Sequence, residues 1–317
     1  MFNPLVSVII TTYSRPENLR RAIISVLNQT YRNIELIVVD DNDISSEYRT
    51  QTSKVIEGFS DRVKYIQHQT NCGANVARNT GIDNSKGEYI CFLDDDDEYL
   101  PRKIEEQINV IDIYNRKTKV LVFVGANIFG NTLFNNSLWM KAYKESIVKF
   151  NKEEIFASNY IGSNSFIMVD KLSLMDSNKY DINMPSCQDW DLYIRLSLIN
   201  VDFFGINKPL VNYYHNDDAI RITNNKSKRI RGHELIKEKY EKHILEKSNI
   251  IISRFYRYLY YQYLLVERQK AIELLPLIKK YSFGFRQKTL ANIDVIMLNI
   301  VRFKKLYDLI RIIKNRF

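Results

Sequence analysis

The sequence predicts an α/β fold in which a mostly parallel sheet carries helices on both faces. Over residues 1–100, β-branched apolar runs alternate with segments of helical periodicity, as strands and helices do in βαβ units. Those apolar runs end in polar or acidic residues, which is typical of parallel strands with a site at their carboxyl ends. A chain of 317 residues that is 45% hydrophobic is also long enough to bury one large core or two modest ones.

The first strand and helix occupy residues 5–27. "LVSVIITTY" is apolar and β-branched and predicts a buried strand over residues 5–13. Ser14 precedes Glu17 by three residues, with Pro16 between them, which predicts a capping box at the start of a helix. The helix itself is predicted by apolar residues at helical spacing: Leu19, Ala22, Ile23, Val26 and Leu27.

The same alternation continues to residue 95. Strands are predicted over residues 34–41, 62–68 and 88–95, and a helix over residues 74–85. The carboxyl ends of parallel strands meet at one edge of a sheet, where ligands collect. We therefore expect "TTYS", "DDND" and "DDDD" to form one ligand site.

Charge divides the chain into two parts. Residues 1–225 hold 24 Lys and Arg against 29 Asp and Glu, a net charge of −5, whereas residues 226–317 hold 22 against 8, a net charge of +14. The polar and basic stretch 224–232 marks the boundary. The sequence thus predicts a site-bearing domain at 1–225 and a basic helical region at 226–317.

The basic region is helical in pattern and rich in aromatic residues. Residues 250–281 and 293–317 combine apolar and aromatic stripes with Lys and Arg, and Pro276 predicts an end or a kink. Such helices suit the headgroup layer of an anionic membrane. The alternative is that the stripes pack on the first domain or on another subunit of a homo-oligomer. Nucleic-acid binding is disfavoured because no recognition motif accompanies the charge.

Cysteine usage and the absence of export signals favour a cytoplasmic location. Cys72, Cys91 and Cys187 are scattered and odd in number, which argues against a disulfide framework or a zinc knuckle. The sequence begins without the basic region and cleavage site of a secretion signal, and no stretch approaches the roughly 20 apolar residues that span a bilayer. We expect a cytoplasmic protein, peripheral on the inner face of the cell membrane through its basic helices.

Four consecutive aspartates, residues 94–97, need a physical reason, because adjacent like charges repel one another. A divalent cation supplies one, since hard oxygen ligands suit Mg²⁺ or Mn²⁺ and the cation cancels the repulsion. On an extended backbone the side chains alternate, so Asp94 and Asp96 of a D-x-D motif point toward one ligand. The alternative is a solvated acidic turn, because a bare D-x-D pattern is weak.

Several motifs follow one another within residues 4–215: "VSVIITTYSRPENLRRAIISVLNQTYRNIELIVVDDND", "NCGANVARNTGIDNSKGEYICFLDDDDEYLPRKI" and "PSCQDWDLYIRL". In order and spacing they resemble the family 2 glycosyltransferases, inverting enzymes of the GT-A fold. The resemblance implies a Rossmann-like, mostly parallel sheet followed here by the helical region. It also implies transfer of a sugar from a nucleotide donor with Mn²⁺ or Mg²⁺ as cofactor.

The resemblance implies that the nucleotide binds at the ends of the first two strands. Thr11, Tyr13 and Asp41, with Asp40 beside them, match the positions that bind base and ribose. A tyrosine ring can stack on a base and a carboxylate can accept the uracil imide N–H, so these residue types suit a UDP-sugar. Arg78 matches a basic residue near the diphosphate. The alternatives are a core aromatic residue for Tyr13 and a surface salt bridge for Arg78.

Within the acid run, Asp96 resembles the established metal ligand of the family and Asp94 the start of its triplet. Asp95 is a candidate for a ribose contact. Four identical residues leave the register open, and Asp97 and Glu98 are compatible with helix-start residues before "PRKI".

The motif "QDWDLYIRL" supplies the candidate base. Inverting transfer needs a group that removes the acceptor hydroxyl proton, and the resemblance implies Asp189 for this role. Gln188 stands where relatives usually have glutamate, and Trp190 would form the floor of the acceptor site. Asp191 is the rival base, although on a helix residues 189 and 191 point about 200° apart, so only one should face the cleft. The alternative is an amphipathic helix with an acidic first turn.

Two further segments carry candidate ligands. His215 falls where some relatives place a histidine that completes the metal site, although a lone histidine is also often structural. Gly162, Ser163 and Asn164 match a small-residue stretch that passes close to substrate, and a tight turn explains them almost as well.

Together these observations predict a metal-dependent inverting glycosyltransferase. The expected acceptor is a hydroxyl of a glycan, lipid-linked, in the synthesis of a bacterial capsule, exopolysaccharide or cell-wall polymer. A nucleotidyltransferase is the first alternative, but it should carry a glycine- and lysine-bearing phosphate loop where this chain has "TTYSRPE". A non-catalytic nucleotide- or glycan-binding protein is the second.

Overall fold

A computed structural model describes residues 2–115, 118–130, 146–215, 225–264, 266–284 and 288–294. Its contacts group the chain into two compact units. Unit 1 comprises Met1–Lys152, Ile161–Asn183 and Asp191–Ala219, and unit 2 comprises Glu153–Tyr160, Met184–Trp190 and Ile220–Phe317. The predicted functional division between residues 1–225 and 226–317 stays a prediction.

The described strands form one mixed sheet, which lies in unit 1. They are β1 (Val6–Thr12), β2 (Ile34–Asp40), β3 (Lys64–Gln67), β4 (Tyr89–Asp94), β5 (Glu98–Tyr99), β6 (Val120–Gly130), β7 (Ile147–Phe150), β8 (Ile167–Asp170) and β9 (Asp202–His215). The order across the sheet is β3-β2-β1-β4-β8-β6-β9-β5, and β7 also pairs with β9. The first four strands pair in parallel, as do β6 and β9, whereas β5, β7 and β8 are antiparallel to their neighbours. The predicted α/β class with a mostly parallel sheet is confirmed.

The described helices are α1 (Pro16–Leu27), α2 (Glu47–Glu57), α3 (Ala74–Asp83), α4 (Lys103–Ile113), α5 (Lys171–Asp176), α6 (Gln188–Leu198), α7 (Lys226–Leu245), α8 (Asn249–Tyr263) and α9 (Arg268–Lys280). The strands and the two helices predicted before residue 95 are all present, and their ends differ from the predictions by one or two residues.

Helices pack on both faces of the sheet because the strands are apolar on both sides. Val8 and Ile10 of β1 share a core cluster with Leu19 of α1. On the opposite face, Ala77 of α3 packs with β2. Gly81 brings α3 still closer, since a Cβ atom there would lie 2.4 Å from Cγ2 of Ile9. Only a glycine allows this approach of helix to strand.

The start of α1 differs from the predicted capping box. Ser14 has a φ of 58° and makes no side-chain cap; its backbone N–H donates to Asn42 Oδ1 at 2.9 Å. Arg15 occupies the N-cap position without a capping hydrogen bond. The capping-box prediction is therefore wrong, because Asn42, in the loop that follows β2, holds this segment by its side-chain amide instead.

A lysine lies in the core beneath the acid run. Lys103 is fully buried, its Nζ donates to Gln107 Oε1 at 3.0 Å, and the ammonium lies 4.0 Å from the centroid of the Tyr99 ring. Burial lowers the pKa of Lys103 from 10.5 to about 8. The unfolded chain therefore binds more protons than the native one between these two values.

Stability is expected to depend on pH through this lysine. Below about pH 8 both states carry the proton; between about pH 8 and 10.5 the free energy of unfolding of the wild type should rise relative to that of a Lys103→Met variant. Urea unfolding at pH 7.5 and 9.5 should show a relative gain of about 2 kcal/mol for the wild type. The exposed Lys86→Met variant is the control for removing a lysine. A wild-type minus Lys103→Met difference that stays constant with pH would mean that burial does not disfavour the ammonium.

Unit 2 is built from α7, α8 and α9. The aromatic stripe of α8 faces its core, where Phe255, Tyr256 and Tyr260 are buried. Arg257 forms a buried ion pair with Asp294, with Nε 2.8 Å from Oδ2. In the described part of unit 2, these aromatic residues of α8 therefore pack internally, and the predictions of membrane contact or of packing on another subunit stay predictions.

The structure tests one of two sequence predictions about this region. Pro276 lies inside α9, so it does not end the helix. Of the second predicted stretch, 293–317, all but residues 293 and 294 lies outside the described residues. None of the helices in the described ranges combines the length and the apolar character that a bilayer span requires.

Candidate active site

The carboxyl ends of β1, β2 and β4 lie side by side in unit 1. Thr11 pairs in register with Asp94 of β4, and Thr12 pairs with Asp40 of β2. The three motifs that were expected to form one ligand site therefore meet at one edge of the sheet. Tyr13 follows directly and is 46% exposed, so its ring is accessible for stacking.

The acid run forms a turn and not an extended strand. Asp94 ends β4, and the N–H of Asp97 donates to the carbonyl of Asp94 at 3.0 Å. The expectation that Asp94 and Asp96 alternate on an extended backbone is therefore wrong. Asp97 and Glu98 are also not helix-start residues, because Glu98 begins β5 and α4 begins later, at Lys103.

Two arginines offset part of the negative charge of the turn. Arg15 spans two carboxylates, with Nη1 2.6 Å from Oδ2 of Asp96 and Nη2 3.1 Å from Oδ1 of Asp95. Arg78, from α3, places Nη2 2.9 Å from Oδ1 of Asp94. The charged acids therefore tolerate their crowding here through guanidinium groups.

Burial differs along the turn. The Asp94 side chain is 28% exposed, whereas Asp95 and Asp97 are fully buried. Burial raises the pKa of Asp95 to about 7, with Arg15 opposing the rise and Asp96 adding to it. Burial, then Asp96 and Asp94, raise the pKa of Asp97 well above its ordinary range. Asp97 is anchored by Ser165, whose Oγ donates to Oδ2 at 2.6 Å.

The two aspartates after β2 have different surroundings. Asp40 is fully buried; its Oδ1 accepts from the backbone and side chain of Asn42 at 2.9 and 2.7 Å, and Arg49 and the Tyr65 hydroxyl contact its Oδ2. The prediction that Asp40 binds the nucleotide is therefore corrected, because internal groups fill its carboxylate. Asp41 stays a predicted base ligand.

Asp41 is held in place by neighbouring polar groups. Its Oδ1 accepts from the N–H of Cys72 at 2.9 Å and lies 2.8 Å from Nδ1 of His68, and its Oδ2 accepts from the N–H of Gly73 at 2.8 Å. The other ring nitrogen of His68 lies 3.0 Å from the Thr80 hydroxyl. The orientation of the Asp41 carboxylate is thereby fixed before any ligand binds.

The small-residue stretch before β8 makes a turn beside the acids. Gly162 has a φ of 94°, and a Cβ there would lie 2.9 Å from the Phe166 ring. The Ser163 hydroxyl lies 3.5 Å from Oδ2 of Asp94. Asn164 is 6% exposed and its Oδ1 accepts from the Tyr180 hydroxyl at 2.8 Å. Local packing thus accounts for Gly162 and Asn164, and Ser163 is the member that lies close to the acid turn.

Helix α6 carries both candidate bases. Asp189 lies in its first turn, where Oδ1 accepts from the N–H of Trp190 at 2.8 Å. Asp191 is fully buried, and its Oδ2 accepts from Nε and Nη2 of Arg195 at 2.9 and 2.8 Å. Because Asp191 is committed to this ion pair, Asp189 is the better candidate for proton transfer.

Trp190 is a core residue of unit 2. It is 1% exposed, its indole N–H donates to the carbonyl of Ile155 at 2.7 Å, and its ring packs against Phe255 and Tyr258. The prediction that Trp190 forms the floor of the acceptor site is corrected, because neither ring face is open to a sugar.

Truncation of this side chain should therefore act on stability. Trp190→Ala is expected to lower the free energy of unfolding by about 3 to 5 kcal/mol, the usual loss for a large buried aromatic residue. Trp190→Phe, which keeps much of the packing but leaves the Ile155 carbonyl unpaired, should cost about 1 to 3 kcal/mol. Urea unfolding followed by circular dichroism measures both. Unchanged stability in Trp190→Ala with weakened acceptor binding would contradict the core assignment.

Comparison with known proteins identifies the family. The model described as "Glycosyl transferase family 2" matches residues 7–175, more than half of the chain. The chain belongs to glycosyltransferase family 2.

Relatives of this glycosyltransferase occur in several bacteria. An "Uncharacterized glycosyltransferase" of Rickettsia bellii is 30% identical over 237 residues, 73% of this chain, and this chain spans only 32% of that protein. The "Poly(ribitol-phosphate) beta-N-acetylglucosaminyltransferase TarP" of Staphylococcus aureus (strain N315) is 30% identical over 232 residues, 66% of this chain and 68% of TarP. Among solved structures, "S. aureus TarS 1-349 in complex with UDP-GlcNAc" has a TM-score of 0.66 at 16% identity and covers 97% of this chain and 91% of its own. This structural likeness supports the GT-A fold.

Two contact residues of the glycosyltransferase site are missed by sequence reasoning. Arg15 stands two residues after Tyr13, where "SRPE" predicts only a helix start. His68 is the last residue of the predicted strand 62–68, so the rule that ligands meet at strand ends could have found it. His215 lies at the end of β9, and its side chain lies outside the described residues.

The acid turn of the glycosyltransferase has oxygen ligands of the kind that a divalent cation prefers. The Asp95 carboxylate is buried within this turn, and Nη2 of Arg15 lies 3.1 Å from its Oδ1. The metal sites that suit Mg²⁺ use one or two carboxylates together with substrate phosphates, and Asp94 and Asp96 can supply the carboxylates. Within the described ranges, only Asp41, His68 and Cys72 place three ligand atoms within 4.8 Å of one another. That group is less suited, because Asp41 and His68 already engage the partners given above.

Proposed function

We propose that this glycosyltransferase is a metal-dependent, inverting enzyme that transfers a sugar from a UDP-sugar to a hydroxyl of a glycan acceptor. The observation that carries the proposal is the edge of the sheet where Tyr13, Asp41, Arg78 and the acid turn come together. The exposed Tyr13 ring can stack on the nucleobase, and the fixed Asp41 carboxylate can accept its imide N–H. The Arg78 guanidinium suits the diphosphate. The UDP-GlcNAc of the TarS complex supports a donor of this class.

Arg78 is the proposed diphosphate ligand on the protein side. Its guanidinium is 9% exposed, lies 2.9 Å from Asp94 and lies over the Tyr180 ring at 5.5 Å. Both contacts restrict the orientation of the guanidinium, so little rotamer entropy remains to be lost when a phosphate binds. A divalent cation held by Asp94 and Asp96 would supply charge neutralisation for the departing nucleotide.

Asp189 is the proposed general base. The acceptor hydroxyl attacks the anomeric carbon from the face opposite the nucleotide, and its proton passes to the Asp189 carboxylate as the new glycosidic bond forms. The bond from the anomeric carbon to the diphosphate oxygen breaks in the same displacement. Gln188, in place of the glutamate of relatives, leaves one negative charge fewer beside this base.

The proposed acceptor is a lipid-linked saccharide of a bacterial surface polymer. TarP, which is named for transfer to poly(ribitol-phosphate), supports a surface polymer as the acceptor class. The net charge of +14 over residues 226–317 supports contact with an anionic membrane surface, where such lipids lie. Co-sedimentation of the full chain with phosphatidylglycerol vesicles, and not with neutral phosphatidylcholine vesicles, tests the membrane contact.

A panel of nucleotide sugars tests the donor class. The full chain is incubated with Mn²⁺ and each of several UDP-, GDP- and CDP-sugars, and the released nucleotide is measured. We expect release from a UDP-sugar that stops when EDTA is added. Release from a GDP- or CDP-sugar alone would contradict the proposed base recognition, and release that EDTA leaves unchanged would contradict the cation requirement.

A further inference from the structure

Arg15 pairs with two carboxylates of the acid turn, one of which, Asp96, is a proposed cation ligand. Its two terminal nitrogens lie 2.6 Å from Oδ2 of Asp96 and 3.1 Å from Oδ1 of Asp95. The arginine comes from the loop after β1, where Ser14 takes a φ of 58°, and its side chain is 28% exposed. The partly exposed guanidinium of Arg15 is thus a counter-ion, supplied by the protein itself, for the buried Asp95 carboxylate.

Arg15 pairs with both Asp95 and Asp96, whereas the other nearby arginines contact different groups. Arg78 pairs with Asp94, and Arg21 contacts the carbonyl of Asp96, at 2.8 Å, and the carboxylate of Glu98. Removal of Arg15 would leave the buried Asp95 carboxylate without its ion-pair partner.

A divalent cation and Arg15 compete for Asp96. A magnesium-like ion binds carboxylate oxygen at about 2.0 to 2.1 Å, and the Oδ2 oxygen of Asp96 already accepts a short hydrogen bond from Arg15. Two positive charges at one oxygen repel each other with an energy that decreases only as the inverse of their distance. A cation that binds Asp96 through Oδ2 therefore competes with the guanidinium for this oxygen.

A diphosphate gives the withdrawn guanidinium a new partner. The fork of an arginine matches phosphate oxygens in a bidentate arrangement, and such charge-assisted hydrogen bonds are about twice as strong as neutral ones. On the basis of the proposed function, we propose that Arg15 competes with the divalent cation for Asp96 in the donor-free enzyme and pairs with the donor diphosphate once it binds. Arg15 thereby makes cation binding depend on the donor.

Mn²⁺ titration in the absence of any sugar tests this role. Free Mn²⁺ is measured by electron paramagnetic resonance for the full-length wild type, Arg15→Gln and Arg21→Gln, each with and without UDP. Without UDP, Arg15→Gln should bind Mn²⁺ roughly tenfold more tightly than wild type, because one adjacent positive charge is gone. The factor by which UDP improves Mn²⁺ affinity should be smaller in Arg15→Gln than in wild type. Arg21→Gln is the matched control, and its Mn²⁺ affinity should change by less than about threefold, since Arg21 bonds to the backbone carbonyl of Asp96 and pairs with Glu98.

Equal Mn²⁺ affinities of wild type and Arg15→Gln without UDP would overturn the inference, as would a weaker affinity in the variant. If thermal melting shows that Arg15→Gln does not fold, Arg15→Lys serves instead: it keeps the charge and loses the fork, so its UDP effect on Mn²⁺ affinity should fall. An unchanged UDP effect in Arg15→Lys would also overturn the inference. Failure of sugar transfer in the wild type would count against the proposed function alone, because the titration without UDP does not depend on turnover.

Discussion

Replacement of Asp189 by asparagine is expected to lower the rate of sugar transfer by roughly 10²- to 10⁴-fold, the usual contribution of a general base. Asparagine keeps the size and the hydrogen bond to the N–H of Trp190, but it cannot take a proton from the acceptor hydroxyl. Donor binding should be retained, because the proposed donor ligands lie on other elements. Initial rates of product formation give the first quantity, and calorimetry with UDP and Mn²⁺ gives the second.

Asp191→Asn is the matched control on the same helix. It removes the buried carboxylate that pairs with Arg195 and should reduce stability, as loss of one partner of a buried pair does. We thus expect Asp189→Asn to lose turnover and keep the wild-type melting temperature. Asp191→Asn should have a lower melting temperature. Wild-type turnover in Asp189→Asn would assign the base to another residue.

Replacement of Asp96 by asparagine should remove the binding of UDP with Mn²⁺. The loss should exceed the roughly 10- to 100-fold that follows removal of an outer partner of a metal ligand, because Asp96 is a proposed direct ligand. Calorimetric titration of UDP in the presence of Mn²⁺ measures the effect. The same titration with Mg²⁺ shows whether the requirement is general to divalent cations.

Asp97→Asn separates the metal role from a general effect on the turn. Asp97 is buried and hydrogen-bonded to Ser165, so its change should alter stability while UDP with Mn²⁺ still binds. If Asp96→Asn binds UDP in the presence of Mn²⁺ with the same heat as wild type, the proposed cation site at the turn is contradicted. In the structure, Arg15 pairs with Asp95 and Asp96 and Arg78 pairs with Asp94, so these guanidinium groups offset part of the charge of the turn.

The sheet and its edge were predictable from the sequence because their signals are local. β-branched runs such as "VSVII" specify buried strands, and parallel pairing then brings Thr11, Asp41 and Asp94 to one edge. The register within the acid turn was not predictable, since four identical residues carry no pattern. It is set by the bond from Asp97 to the Asp94 carbonyl and by the Ser165 hydroxyl, which lies 68 positions away from Asp97.

The misassigned residues depend on contacts that are distant in sequence. Trp190 follows a candidate base and has the residue type of a sugar platform, yet packing with Phe255 and Tyr258 buries it. Asp40 is buried for the same kind of reason, through Arg49 and Tyr65. Residue type and neighbouring motif predict the chemistry of a site, whereas the burial of each member is decided by elements elsewhere in the chain.

Gly81 sets how closely α3 packs against β1, and Arg78 is on the same helix. Its close approach to Ile9 seats α3 against β1, and Arg78 lies three residues earlier on that helix, within reach of Asp94. A methyl group added at residue 81 would collide with the Ile9 side chain, so Ile9 or α3 would have to shift. If Arg78 binds the donor diphosphate as proposed, Gly81→Ala should weaken donor binding although every ligand-facing side chain stays the same.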